Sequence, residues 1–385
     1  MVGPHPLPGE APVGGIEVVM ETLVRSLHEL GAEVRVITCS PSVRRATRME
    51  HDDVAFVVVP TSRGRGRATM FLAEREAIGR AIAEARPHVA HAQGSNFYGP
   101  ATLAAGLPTV VTPHGIFYKE AHITDRSSGL RERISKRLCG VGNTHFERVT
   151  LARATDLVII SPYVDDAVRG RTSARLHPVP NPVAAEFYDV PRHPIDGQLL
   201  FVGSIEARKN VLGLVRAFAS TRDRLPHARL RLIGAPKDRE YHASVLSAIA
   251  SADPGRISYV GVVPQARLLE EYGAAAALVL PSREESSPMV IQQAMAAGVP
   301  VLASRAGGIE RLVAHDVTGV LTSPGDDVAL ADAIVSLLAS PALDAMGEKA
   351  RGDAERFRAG AVAAETMRVY EQVASRGEAP SGRAR

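Results

Sequence analysis

Two doubly wound α/β domains in series are predicted by three features of this 385-residue chain. Apolar runs of four or five residues, each ending in small or polar ones, alternate with helical stretches. That is the pattern of buried parallel strands joined by crossover helices. A single Pro-rich polar break, DVPRHPIDGQ around 188–198, interrupts the alternation, which then restarts. The length also exceeds what one ordinary core serves and suits two domains of roughly 150–200 residues.

In chain order, EVRVITCS (33–40) and VAFVVVP (54–60) are β-branched runs, followed by the helical MFLAEREAIGRAIAEARP. HVAHAQG, TVVTPHG and DLVIISP (156–162) complete the first set of strands. The second set is LLFVGS (199–204), RLRLIGA (229–235), ISYVGVV (257–263), ALVLPS, PVLAS (300–304) and GVLTSP (319–324). Helices are predicted from Val211, up to about Ser251, over ARLLEEYGAA, over 290–297 and over VALADAIVSLLASP. The expected domains are 1–190 and 191–360. A last helix at 361–375 is expected to pack back on the first domain, and 376–385 reads as a disordered tail. The first strand looks short, because only Met1 and Val2 precede Gly3. An upstream start is therefore expected.

Composition narrows the class. With 45% hydrophobic and 23% charged residues, the chain reads as soluble and globular. Its longest apolar runs are about one strand long, so neither a transmembrane helix nor a signal peptide is expected. Two isolated cysteines, Cys39 and Cys139, form neither a disulfide framework nor a zinc site, and suit a cytoplasmic protein. A net charge of +3 gives no reason to expect nucleic acid. RGRGR at 63–67 reads as a solvated loop.

A dehydrogenase would need G-x-G-x-x-G between a strand and a helix, with an acid about 20 residues on, and neither half has it. The second half instead carries polar or Gly-containing turns after each strand: FVGSIEARKN, RLIGAPKD, SYVGVVP, LPSREESSP and ASRAGGIE. Arg208 and Lys209 fall in a strand-to-helix loop, where cations and helix N–H groups together can hold a diphosphate. Gly234, Gly261, Gly307 and Gly308 are expected to let backbone approach a base and ribose closely.

These segments resemble the donor half of a GT4-family retaining glycosyltransferase of the GT-B fold, two Rossmann-like domains facing each other across a cleft. The resemblance rests on FVGSIEARKNVLGLVRAF, LRLIGA, the stretch from YVGVVP to VPVLAS and GGIERLVAHDVTGVLTSPGDDVALADAI. In the first half it rests on GGIEVVMETLVRSLHELGAEVRVIT, HAQG, TPHG, LVIISPYV and VPNPV. It spans about 1–375 in ordered series and implies a bacterial hexosyl- or N-acetylhexosaminyltransferase.

The resemblance implies residue roles. Arg208 and Lys209 would neutralise the leaving diphosphate, and Glu285, the first acid of the family's pair, would contact donor-sugar hydroxyls. His114 in TPHG would face the donor sugar, and Gly14 and Gly15 would form a tight loop near phosphate and acceptor. Gly203, Ser204, Gly234, Gly261, Ser287, Pro288, Met289 and Val290 would line the nucleotide-sugar site. The AMA register places Gln293 where relatives carry the second acid, on the ribose. Ser204 stands where relatives often have Arg, and Arg311 where many have an acid.

No protein nucleophile is implied, since the leaving phosphate itself would take the acceptor's proton. With no Asp-x-Asp at a strand end, neither a metal nor a cofactor is expected. The donor would be a nucleotide-diphosphate-sugar, and the acceptor a hydroxyl on a small molecule, a glycan or a lipid carrier. Peripheral membrane contact through the basic amphipathic stretch 131–154 is compatible with the last. A sugar-nucleotide epimerase, a phosphorylase and a non-catalytic nucleotide-sugar-binding relative remain as alternatives; a phosphorylase dependent on pyridoxal phosphate would need a cofactor lysine, and lysines are scarce here.

Overall fold

The computed structural model describes residues 1–61, 69–120, 130–252 and 255–378. They form two compact units, one of 1–61, 69–120, 136–182 and 359–378, the other of 130–135, 183–252 and 255–358. The RGRGR run lies outside the described residues, as do the tail beyond 378 and the side chains at 131–139 of the amphipathic stretch.

The first unit opens with α1 (Gly15–Glu29), whose Val19, Met20, Leu23, Val24 and Leu27 recur at helical spacing and are buried. Strands β1 (Arg35–Ser40), β2 (Thr47–His51) and β3 (Val54–Pro60) form a ladder in the order β1-β3-β2. After α2 (Leu72–Ala85), the strands β4 (Ala90–Ala92), β5 (Thr109–Val111), β6 (Asp156–Ile159) and β7 (Arg175–Pro178) form a second ladder in sequence order. Helices α3 (Tyr98–Leu103), α4 (Phe117–Glu120), α5 (Leu130–Arg153) and α6 (Pro162–Val168) lie between them in the chain.

The short start acts as a strand. Val2 bridges in parallel to both Ile37 of β1 and Ala92 of β4. Its N–H donates to His91 C=O at 2.8 Å, and its C=O accepts from Gln93 N–H at 2.8 Å. On the other side, Gly3 N–H donates to Ile37 C=O and Ile37 N–H to Met1 C=O. Two residues suffice because each edge supplies backbone partners, so the stub sits centrally and sutures the two ladders.

In the second unit, β8 (Gln198–Val202), β9 (Arg229–Ile233), β10 (Ile257–Gly261), β11 (Ala277–Leu280), β12 (Val301–Ser304) and β13 (Gly319–Thr322) form one sheet. Its order is β10-β9-β8-β11-β12-β13 and every pairing is parallel. Adjacent β8 and β11 are the point where successive strands switch from one side of the sheet to the other, which is where open α/β sheets bind ligands. The helices are α7 (Val211–Ala219), α8 (Arg239–Ser251), α9 (Gln265–Ala274), α10 (Met289–Ala296), α11 (Asp327–Leu338) and α12 (Leu343–Ala354).

The division between units falls at 182/183 and not at 190/191. Residues 183–190 are tied to the second unit: Val183 N–H donates to Phe357 C=O, and the buried Tyr188 hydroxyl to Ala354 C=O, both at 2.7 Å. The last helix, α13 (Ala359–Glu378), belongs to the first unit and is longer at both ends than 361–375. Its Val362, Val369 and Val373 join a buried cluster with Val110, Val111, Leu157 and Val158. Each such burial is worth about 1.5–3 kcal/mol. Arg376 adds an ion pair to buried Asp156 at 2.5 Å. Among the described residues, no single helix is long and apolar enough to cross a membrane.

Candidate functional site

The loops after β8 and β11 bring together the charged residues that the sequence points to. Lys209 ends a turn of 3₁₀ helix over Ala207–Lys209, which places its side chain and that of Arg208 over the strand end. Lys209 Nζ donates to Glu285 Oε1 at 2.5 Å, and Arg208 Nη1 to Glu285 Oε2 at 3.2 Å and to Glu284 C=O at 2.8 Å. Ser282 Oγ donates to Glu285 Oε1 at 2.7 Å. The carboxylate expected to contact sugar hydroxyls is thus buried and engaged at both oxygens.

Two residues of this cluster were missed from sequence. Glu206 Oε1 accepts from Ser204 Oγ at 2.6 Å and from Arg208 Nη2 at 3.1 Å, with Lys237 Nζ 4.0 Å away. Ser282 stands two residues before Glu284 and is fully buried. An acid two residues before Arg208 in a strand-end loop was the available signal for Glu206. Burial pushes the Glu285 carboxyl up, but Lys209 and Arg208 outweigh it and hold it at about 2. Glu206 is likewise held below its ordinary value, burial being overcome by Arg208, Lys237 and the Ser204 hydroxyl. Burial lowers the Lys209 ammonium, and Glu285 works against that shift.

The glycines serve a purpose besides the one expected. A Cβ on Gly234, at φ +143°, would lie 1.9 Å from Gly203 C=O. On Gly307 and Gly308 it would lie 2.1 and 2.0 Å from the carbonyls of Glu285 and Ser286. These three let one strand-end loop pack on the next, whereas a Cβ on Gly261 would meet nothing. Gly203, at φ +154°, has the Phe201 ring and Lys209 Cε near its Cβ direction.

Helix α10 begins on the same edge, with Pro288 as its cap and Met289 and Val290 in its first turn. Ser287 Oγ accepts from Gln292 Nε2 at 2.8 Å. Gln293 is buried, and its Oε1 lies 3.2 Å from the Tyr272 hydroxyl, which is also 3.2 Å from Val290 C=O.

The first unit holds the remaining residues. Gly14 is not in a tight turn: its φ of −127° is extended and a Cβ there would meet nothing. It caps α1, with Gly15 the first helical residue, and Glu17 closes the cap by accepting from the N–H groups of Val13 at 2.7 Å and Gly14 at 3.3 Å. His114 follows β5, and its Nε2 lies 2.6 Å from Gln93 Oε1 after β4. Burial lowers the His114 pKa to about 4, so the ring is neutral near pH 7. Glu147 of α5 accepts from the N–H groups of Phe117 and Tyr118, fixing the far side of the His114 loop.

A switch-point cation cluster in a parallel sheet, in a chain with a second Rossmann-like unit, is what the resemblance to GT-B glycosyltransferases implies. The family described as "Glycosyl transferases group 1" matches residues 196–340, and the "Glycosyl transferase 4-like domain" matches 14–182. The chain belongs to the GT4 glycosyltransferases. It is 28% identical over 402 residues to a D-inositol 3-phosphate glycosyltransferase of Pseudarthrobacter chlorophenolicus, covering 97% of this chain and 94% of that one. A D-inositol 3-phosphate glycosyltransferase 2 of Catenulispora acidiphila is 35% identical over 208 residues, 51% of this chain and 48% of that one. Among solved structures, sucrose-phosphate synthase of Thermosynechococcus elongatus superposes with a TM-score of 0.79 at 22% identity, covering 97% and 98%. HepE of Anabaena, in complex with UDP-glucose, gives 0.70 at 16% identity with the same coverage.

Proposed function

We propose that this glycosyltransferase moves a hexosyl or N-acetylhexosaminyl group from a nucleoside-diphosphate sugar to a hydroxyl acceptor in the cytoplasm, with retention and without a metal. The observation that carries the reading is the Arg208–Lys209–Glu285 cluster at the switch point between β8 and β11. Departure of a diphosphate builds negative charge on the leaving oxygen and positive charge on the sugar. Cations fixed beforehand by carboxylates stabilise that separation without reorganising, and one such donor is worth roughly 3 kcal/mol. Arg208 and Lys209 supply the charge that a metal supplies elsewhere. Glu285, bonded to both, meets the sugar hydroxyls, and Gln293 meets the ribose. The UDP-glucose bound by HepE and the sugar-transferring names of the relatives support a nucleotide-sugar donor.

The test is a panel of UDP-, GDP-, ADP- and TDP-sugars with polyol, polyol-phosphate and glycan acceptors, run in EDTA. Nucleoside diphosphate is expected to appear only with acceptor present, and the product is expected to keep the donor's anomeric configuration. Release that needs added Mg²⁺ or Mn²⁺ would overturn metal independence, and an inverted product would overturn retention.

A further inference from the structure

Gln93 was passed over in the sequence, yet it holds His114. It is 1% exposed at the end of β4, and its Oε1 is 2.6 Å from His114 Nε2. A carboxamide oxygen only accepts, so the proton between them belongs to His114 Nε2, and Nδ1 of the neutral ring carries a lone pair. Among the described residues, Nδ1 has no hydrogen-bond partner. The amide is gripped on its other side, its Nε2 lying 3.4 Å from both ring nitrogens of His91. His91 is itself pinned between Thr112 Oγ1 at 2.7 Å and the Tyr370 hydroxyl of α13 at 2.6 Å. The Gln93 backbone bonds to Val2, and a Cβ on Gly3 would lie 2.7 Å from Gln93 Cβ, so the residue has no room to shift.

We propose that Gln93 is a positioning residue for sugar transfer: it fixes His114 as the Nε2–H tautomer, so that the ring offers Nδ1 as a hydrogen-bond acceptor to a substrate sugar hydroxyl. The choice of a sugar hydroxyl rests on the transferase reading above. The tautomer does not. The bare Nδ1 of the neutral ring can accept the O–H of a sugar hydroxyl, whereas an imidazolium could only donate to the hydroxyl oxygen.

The experiment is a two-bond ¹H–¹⁵N correlation on the full-length ¹⁵N-labelled protein near pH 7, with His114 assigned by its loss in His114→Gln. Wild type is expected to show a protonated Nε2 and a bare Nδ1. Gln93→Met is expected to give a mixed tautomer and a kcat lower by about tenfold with KM little changed. Gln93→Glu, whose carboxylate still accepts from Nε2, is expected to keep Nε2 protonated. A protonated Nδ1 in wild type would overturn the proposal, as would an unchanged tautomer in Gln93→Met. The wild-type spectrum decides alone if Gln93→Met does not fold. Absence of turnover with every donor would refute the transferase reading and leave the spectrum unaffected.

Discussion

Replacing Glu285 by Gln isolates the charge that holds the cation cluster. The Glu285 carboxyl sits at about 2 against an ordinary 4.5, because Lys209 and Arg208 outweigh its burial. At about 1.4 kcal/mol per tenfold change in proton affinity, the separation amounts to about 3 kcal/mol. The folded value is the depressed one, so this stability is complete above about pH 4.5 and is lost as pH falls toward about 2. Near pH 3 roughly half of it should remain. Gln keeps the shape and cannot ionise, so Glu285→Gln should be less stable than wild type by about 3 kcal/mol at pH 7, and by roughly half as much at pH 3. The chain has no Trp, so the assay is urea unfolding by far-UV circular dichroism at pH 7, 4 and 3. With two units, the transition that moves is the one to fit. A stability gap unchanged from pH 7 to pH 3 would refute the reasoning.

If Lys209 meets the leaving diphosphate as proposed, Lys209→Ala removes a charge-assisted contact to developing charge, and turnover in a steady-state assay should fall by about 100-fold or more with the circular dichroism spectrum preserved. Gln293→Glu keeps an acceptor for the Tyr272 hydroxyl, 3.2 Å from the present amide oxygen. Donor KM should therefore change by no more than about tenfold. Gly234→Ala places a Cβ 1.9 Å from Gly203 C=O and should cost more than about 3 kcal/mol by urea unfolding. Gly261→Ala, with φ +81° and open space, should cost about 1–2 kcal/mol, the left-handed backbone penalty alone.

What was legible in the sequence was what burial writes into it. Strands covered on both faces, such as β8 with LLFV and β11 with ALVL, read as apolar runs and were placed to within a residue or two. β2 was missed because TRMEH is exposed almost throughout and pairs antiparallel at an edge, so nothing selects apolar residues there. β7 was missed because, as a parallel edge strand buried only in part, RLHP shows no apolar run. α12 escaped notice because its buried stripe is Met346, Gly347, Ala350 and Ala354, three of the four too small to register as a hydrophobic period. In the site, Arg208, Lys209 and Glu285 were legible because a cation pair and an acid stand at fixed distances from strand ends. Glu206, Ser282 and Gln93 were not. Their work is to hold other side chains 2 to 21 positions away, as the Ser204–Glu206, Ser282–Glu285 and Gln93–His114 contacts show, and periodicity does not report such pairings.

The two units fix their working groups by the same physical device. In the second, Arg208 and Lys209 do not wait as bare cations, because Glu285 and Glu206 hold them where the strands switch sides. In the first, His114 does not choose its own tautomer, because an amide oxygen, which only accepts, stands against Nε2, while the amide nitrogen lies against His91. The cost of desolvating and orienting each group is thereby met during folding. Only contacts that strengthen as the sugar–phosphate bond breaks then remain to lower the barrier. This accounts for the buried acids beside the proposed diphosphate site, where net charge alone would favour removing them. Without Glu285, Lys209 would be an unpaired buried ammonium with its pKa depressed by burial, tending to lose the proton that the leaving phosphate requires it to keep.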